Sequence, residues 1–104
     1  MKITLLCALG MSTSLLVKKM NQAASARGLD VEVEAYAVDS LETQLKTADI
    51  LLIGPQIRYK KNEIFPKAEA AGVPIEIIDM KAYGTIDGEK VLDQALELKK
   101  RGND

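Results

Sequence analysis

Two segments of this 104-residue chain are continuously apolar, and two others contain exposed charges. The apolar runs at residues 2–7 and 49–53 predict strands that are buried on both faces. Residues 30–37 alternate strictly between apolar and polar side chains, which is typical of a strand with one face in water. Residues 73–78 predict a fourth strand, with its acidic side chain facing outward.

Helical periodicity fills the segments between these strands, and the predicted helices cover residues 14–27, a short segment from residue 39, residues 58–71 and about residues 87–101. Gly28 predicts the end of the first helix, because glycine favours the left-handed conformation found there. Asp39 with Glu42 three positions later resembles a helix start. Pro66 predicts a kink or two consecutive short helices in its segment. The side chains predicted to face the core are Leu16, Met20, Ala23, Ala24, Val91, Leu92, Ala95 and Leu96.

Strands that alternate with helices favour a parallel sheet connected by right-handed crossovers. The two continuously apolar strands are expected at the centre and the two charged strands at the edges, which gives the strand order 2-1-3-4. We therefore predict one α/β domain over residues 1–104, a four-stranded parallel sheet with helices on both faces. In such a sheet ligands bind beyond the carboxyl ends of the strands, where the order reverses between the first and third strands.

The only cysteine, Cys7, ends the first strand at this point. The loop between strand 1 and helix 1 follows it and consists of Ala8, Leu9, Gly10, Met11, Ser12, Thr13 and Ser14. Backbone amides of such a loop, together with the positive end of a helix, favour an anion and stabilise a thiolate. We therefore predict an accessible, nucleophilic thiol in a phosphate-binding loop. The alternative is a buried cysteine that acts as a small apolar residue, which the position at a strand end disfavours.

Three further candidates follow the third and fourth strands. Gln56 either holds the loop or satisfies backbone groups at a turn, and Tyr59 either contacts phosphate or a partner or covers the core. Asp79 is placed like a general acid, but capping of a turn at residues 80–83 is the favoured interpretation. A basic cluster is either a solvated helix face or a surface that attracts a phosphorylated partner; it consists of Arg58, Lys60 and Lys61.

Composition excludes several classes of function. Fourteen basic and fifteen acidic residues leave a net charge of -1, and aromatic residues make up only 4%, so no surface for nucleic acid is expected. With no histidine and one cysteine, neither a metal site nor a disulfide framework nor a cofactor is expected, and the single thiol fits a reducing compartment. The apolar segment at the N-terminus is too short for a signal peptide, and no segment predicts membrane insertion.

Three segments together resemble the IIB component of the bacterial phosphotransferase system, lactose/cellobiose type: residues 7–17, 54–59 and 78–84. The resemblance covers essentially the whole chain. It implies a cytoplasmic phosphocarrier whose cysteine takes a phosphoryl group from a phosphohistidine on a IIA protein. The group then passes to a sugar, such as cellobiose, chitobiose or lactose, held by the membrane protein IIC. By position, Cys7 would be the phosphorylation site and residues 8–14 its cradle.

Other cysteine-based functions fit the sequence less well. Low-molecular-weight phosphatases have a cysteine, five residues and then an arginine; Thr13 stands at the arginine position here. The guanidinium that would bind phosphate during hydrolysis is therefore absent. A redox or arsenate-reducing protein would require a second, resolving cysteine. A pure interaction module would leave the position of Cys7 at the reversal of the strand order unexplained.

Overall fold

The computed structural model describes residues 1–8 and 13–102. In chain order its elements are β1 (Lys2–Cys7), α1 (Ser14–Ala26), β2 (Glu32–Ala37), α2 (Leu41–Gln44), β3 (Ile50–Ile53), α3 (Lys61–Ala70), β4 (Ile75–Ile77), α4 (Met80–Gly84) and α5 (Gly88–Gly102). Short 3-10 helices precede α2 and α3, at Val38–Ser40 and Pro55–Lys60. None of the helices in these described ranges is long and apolar enough to cross a membrane.

All strand pairs in the sheet are parallel, and the order is β2-β1-β3-β4, as the pattern predicted. Every residue of β3 is buried, and so is every residue of β1 after its first. The edge strands β2 and β4 are mostly half-buried. Continuously apolar runs therefore identified the central strands correctly, because only a central strand is covered by helices on both faces.

Alternation along the central strands divides the core between the two faces of the sheet. Ile3 and Leu5 pack with α1, α4 and α5, whereas Leu6 packs on the opposite face with α2 and α3. The core positions predicted in the helices are confirmed; Leu16, Met20, Ala23, Ala24, Val91, Leu92 and Ala95 are buried, and Leu96 is partly buried.

The start of α2 differs from the prediction. Asp39 lies inside the 3-10 helix, and Ser40 occupies the position before α2 without capping its amides. The Ser40 hydroxyl instead donates to the carbonyl of Ala37 at 2.7 Å. The chain turns directly out of β2 through this bond, so the serine side chain closes the turn rather than capping the helix.

The segment around Pro66 forms two consecutive helices, but their boundary lies elsewhere. The 3-10 helix ends at Lys60, and α3 continues through Pro66. Ile57 is buried with a non-helical backbone (φ −111°, ψ 20°), which fixes the irregular first segment against the core. A further difference is α4, a helix where the sequence predicted only a turn.

Two glycines allow a left-handed turn after α1 and a close approach of α5 to α1. Gly28 follows α1 with φ 68° and carries the left-handed turn predicted there. Gly88 begins α5 directly against α1: a Cβ on Gly88 would lie 2.6 Å from the Cβ of Lys19 and 2.8 Å from the backbone nitrogen of Met20. Only glycine allows the two helices this close an approach.

Candidate functional site

Cys7 lies between the carboxyl ends of two neighbouring strands. On one side it pairs with Ala37, the last residue of β2. On the other side Gly54, which follows β3, donates its N–H to the carbonyl of Leu6 at 2.8 Å. These contacts place the sulfur-bearing residue at the point where the strand order reverses, the usual ligand position of open parallel sheets.

Thr13 contacts the thiol directly. Its Oγ1 lies 3.6 Å from the Cys7 Sγ, and either atom can act as donor. Thr13 is fully buried and stands immediately before α1, yet its hydroxyl does not cap the amides of that helix. The hydroxyl is therefore directed to the sulfur, which also lies near the positive end of the α1 dipole.

The thiol is less accessible than the sequence suggested. Cys7 is only 1% exposed, although it stands at the end of β1. The expectation of an accessible thiol is wrong for this conformation. A reactant can reach the sulfur only after covering atoms have moved aside.

The structure describes part of the predicted phosphate-binding loop. Ala8 is exposed, Thr13 is buried, and Ser14 is the exposed first residue of α1. The remaining loop residues lie outside the described residues: Leu9, Gly10, Met11 and Ser12. That this loop holds a phosphate therefore stays a prediction.

A bridge of two side chains borders the site on the β3 side. Gln56 Nε2 donates to the Tyr83 hydroxyl at 2.8 Å. If Gly54 carried a Cβ, that atom would lie 2.7 Å from Gln56 Oε1 and 3.6 Å from the Cβ of Cys7. The carboxamide and the cysteine thus border the same small gap left by the glycine.

Sequence reasoning did not include Tyr83 among the site residues. Tyr83 lies on α4, which follows the carboxyl end of β4 and therefore starts at the same edge of the sheet as Cys7. The rule that parallel strands present their carboxyl ends at one edge could have pointed to it. The missing information was that residues 80–84 form a helix.

Tyr59 and the basic cluster occupy the surface beside this bridge. Tyr59 is 75% exposed, so it does not cover the core. The Arg58 guanidinium donates to the thioether of Met80, itself 59% exposed, at 3.0 Å, and the Lys61 ammonium lies 5.2 Å from the centre of the Phe65 ring. The cluster therefore contacts apolar side chains and is not a uniformly solvated helix face.

Asp79 has the geometry of a helix cap. Its Oδ2 accepts from the Ala82 N–H at 2.9 Å, and its own N–H donates to Gln94 Oε1 at 3.0 Å. The Gln94 amide also donates to the carbonyl of Ile77 at 2.8 Å. These bonds connect the end of β4 to α4 and α5, which favours a structural role for Asp79 over that of a general acid.

The fold and the site define an α/β protein with a single thiol at the reversal point of a parallel sheet, where such proteins bind anionic ligands. The family described as "PTS system, Lactose/Cellobiose specific IIB subunit" matches residues 2–94. This chain belongs to that family, the lactose/cellobiose IIB components of the phosphotransferase system, and is a phosphotransferase component.

Individual relatives match over nearly the whole chain. It is 44% identical over 97 residues to the PTS system oligo-beta-mannoside-specific EIIB component of Bacillus subtilis (strain 168), covering 93% of this chain and 94% of that protein. The solution structure of the cellobiose-specific phosphotransferase IIB component protein from Borrelia burgdorferi has a TM-score of 0.83 and 36% identity, covering 98% of this chain and 94% of that chain.

A phosphatase shares the fold at much lower similarity. YwlE arginine phosphatase, in a mutant with a phosphorylated active site serine, aligns with a TM-score of 0.53 and 15% identity over 95% of this chain and 91% of that chain. This likeness shows the fold alone. The phosphatase alternative therefore has only distant support.

Proposed function

We propose that Cys7 is the residue through which this IIB component carries a phosphoryl group. The Cys7 thiolate attacks the phosphorus of a phosphohistidine on a IIA protein, so that the S–P bond forms, the P–N bond breaks and the imidazole leaves. A hydroxyl oxygen of a sugar held by the membrane protein IIC then attacks the same phosphorus. The O–P bond forms, the S–P bond breaks, the thiolate is regenerated, and the hydroxyl proton passes to a base of IIC.

The observation that carries this proposal is the position of Cys7. It is the only cysteine of the chain, and it lies at the reversal of the strand order, in contact with Thr13 at the start of α1. The helix terminus and the hydroxyl stabilise negative charge on sulfur and on a transferring phosphoryl group. Backbone amides of residues 8–14 complete the proposed cradle. Because the chain contains no histidine, the phosphohistidine donor must be another protein.

The proposed acceptor is a β-linked disaccharide such as cellobiose, chitobiose or lactose. The names of two similar proteins support this class, one specific for oligo-beta-mannosides and one for cellobiose. We place the reaction in the cytoplasm, where a single reactive thiol stays reduced. The sugar contacts IIC in this scheme, so the side chains around Cys7 serve transfer and do not select the sugar.

Thr13 separates this proposal from a cysteine phosphatase. The residue is fully buried, and an arginine there would place a charge in a site with room for a small side chain. A neutral hydroxyl stabilises the sulfur without the bidentate clamp that assists hydrolysis of a phosphoryl group. A carrier must keep its phosphoryl group until the acceptor binds.

Intact-mass measurement after incubation with phosphorylated IIA tests the proposal. The wild type should gain the mass of one phosphoryl group, and Cys7→Ala should gain none. Ser25→Ala, on the exposed side of α1, is the control for loss of another potential nucleophile and should gain the group like the wild type. Circular dichroism checks that each variant is folded. Phosphorylation of Cys7→Ala, or none in the wild type, would contradict the proposal.

A further inference from the structure

The Gln56–Tyr83 bridge lies beside a sulfur that must exist in neutral and charged forms. We propose that Gln56 is a positioning residue for Cys7. Its carboxamide, anchored by Tyr83, rotates by a half-turn when Cys7 changes from the thiol to the phosphorylated state. The phosphorylated half of this inference rests on the carrier function proposed above. The thiol half rests only on the geometry of the site.

The gap at Gly54 brings the carboxamide close to the cysteine. One point in space, the position of a Cβ on residue 54, lies within 2.7 Å of Gln56 Oε1 and 3.6 Å of the Cys7 Cβ. Because residue 54 is glycine, it places no side chain of its own between the two groups. The Gly54 N–H also donates to the Leu6 carbonyl, which holds the start of the segment after β3 beside the end of β1.

The chemistry of the two bridging groups permits both orientations. A carboxamide presents an acceptor on one side and two N–H donors on the other, whereas a phenol hydroxyl can both donate and accept. In the structure Nε2 donates to Tyr83, and Oε1 faces the gap beside Cys7. After a half-turn Oε1 would accept from the Tyr83 O–H, and Nε2 would face the gap. The bond to Tyr83 is retained in both cases.

Each orientation matches one form of the cysteine. A neutral thiol has an S–H to donate, which suits the carbonyl oxygen. A thiolate or a phosphoryl group has only acceptors, which suit the N–H donors. Gln56 can therefore adapt to the charge on Cys7 without losing its anchor. A glutamate at this position could not, because it has no donor and carries a negative charge.

The first experiment uses Gln56→Glu and follows the Cys7 Cβ resonance by NMR as the pH is raised. Because this readout does not need a reagent to reach the sulfur, burial of the thiol does not interfere. The ionisation midpoint of the thiol should rise by roughly half a unit to two units relative to the wild type. Gln22→Glu, an exposed change on α1, is the matched control and should shift it by less than about 0.2 unit. Equal shifts in the two variants would overturn the proposal.

The second experiment follows the side-chain amide resonances of Gln56 while Cys7 is phosphorylated by IIA. In the wild type they should shift and become protected from exchange with water. Tyr83→Phe should reduce both effects, because the anchor is lost. Tyr36→Phe removes a hydroxyl on the opposite face of the sheet, where Tyr36 packs with the Leu6 cluster, and should behave like the wild type.

The two experiments separate the failure of this inference from the failure of the carrier function. If no phosphate becomes attached, the carrier proposal fails, and the thiol titration alone decides whether Gln56 acts on Cys7. If phosphate is attached while the Gln56 resonances stay unchanged, the carrier proposal stands and the turning carboxamide is wrong.

Discussion

Thr13 sets the immediate surroundings of the sulfur. Its hydroxyl is fully buried 3.6 Å from Sγ, at the sequence position where a cysteine phosphatase has its arginine. A hydroxyl can donate to a thiolate and accept from a thiol, so the contact survives both protonation states. In the proposed cycle, one small polar side chain would therefore stay in contact with the sulfur in both of its protonation states.

Thr13→Val tests this contact, because valine keeps the branched shape and removes the hydroxyl. Phosphorylation of Cys7 by IIA should slow by about tenfold, the effect of losing one hydrogen bond to a charged group. Thr13→Ser keeps the hydroxyl and should stay within about threefold of the wild type. Rapid-quench measurement of the rate of phosphoryl transfer from IIA to Cys7 compares the valine and serine variants. A valine variant as fast as the serine variant would remove Thr13 from the mechanism.

At the scale of secondary-structure elements, β2 carries a row of polar groups on one face. Tyr36 donates its hydroxyl to Glu34. This bond, followed by one from Glu32, lowers the pKa of Glu34 below its ordinary value. The hydrogen bond with Glu34 raises the pKa of Glu32, and the bond to Glu34 raises the pKa of Tyr36. These bonds therefore connect the polar side chains along one face of the edge strand β2.

Tyr36→Phe should raise the pKa of Glu34 toward its ordinary value. A carboxyl group with a lowered pKa stabilises the fold above its unfolded-state pKa and loses that effect as the pH falls through its folded-state pKa. The stability difference between wild type and variant should therefore be largest near neutral pH and shrink in acid. Carboxyl NMR titration and urea unfolding at several pH values measure both effects. Tyr59→Phe is the control, because Tyr59 is far more exposed, and it should change neither the pKa of Glu34 nor the pH dependence of stability. A stability difference between the wild type and Tyr36→Phe that stays constant into acid would refute the assignment.

The start of α5 against α1 is a second feature at this scale. Gly88→Ala would push a Cβ to 2.8 Å from the backbone nitrogen of Met20, so the helices must separate. The variant should lose about 3 kcal/mol of unfolding free energy, as expected for an overpacked contact. Gly84→Ala is the control, since nothing lies within 4 Å of its added Cβ, and should be neutral or slightly stabilising. Urea unfolding measures the stability of the Gly88→Ala and Gly84→Ala variants. Equal free energies of unfolding would show that the start of α5 does not require its close approach to α1.

The sequence predicted best those elements that are long enough to show a clear hydrophobic periodicity. Leu16, Met20 and the apolar strands follow from periodicity, and the strand order follows from which strands are apolar on both faces. The α4 helix was missed because five residues are too short to show a period. At Ser40 a local bond to a carbonyl competed with helix capping. The burial of Cys7 and its proximity to Gln56 depend on how distant segments pack, which no local pattern records.

At the scale of the whole molecule, positive charge and exposed apolar groups share the edge of the sheet that holds Cys7. The basic cluster follows the carboxyl end of β3, and exposed Tyr59 and Met80 lie within it or beside it. A surface of this kind favours encounter with an acidic partner that also presents apolar contacts. The phosphohistidine of the proposed IIA donor would carry this negative charge at its reactive group.

Charge reversal tests this surface. Arg58→Glu, Lys60→Glu and Lys61→Glu, singly and together, should slow transfer from IIA by reducing association, and the effect should fade as salt rises. Lys46→Glu makes the same charge change near the amino end of β3, on the opposite edge of the sheet, and should leave the rate unchanged. Stopped-flow rates across an ionic-strength series provide the measurement. Equal rates for the cluster variants and the control at low salt would exclude this docking surface.

In the proposed carrier cycle, the burial of Cys7 would limit how fast phosphoryl groups pass through this component. A sulfur that is 1% exposed must be uncovered before a histidine of another protein can reach it, so every turnover contains an opening step inside this chain. Raising the amount of phosphorylated IIA increases throughput only until that step becomes limiting. The maximal transfer rate in the proposed cycle would then be a property of this chain, independent of the abundance of either proposed partner.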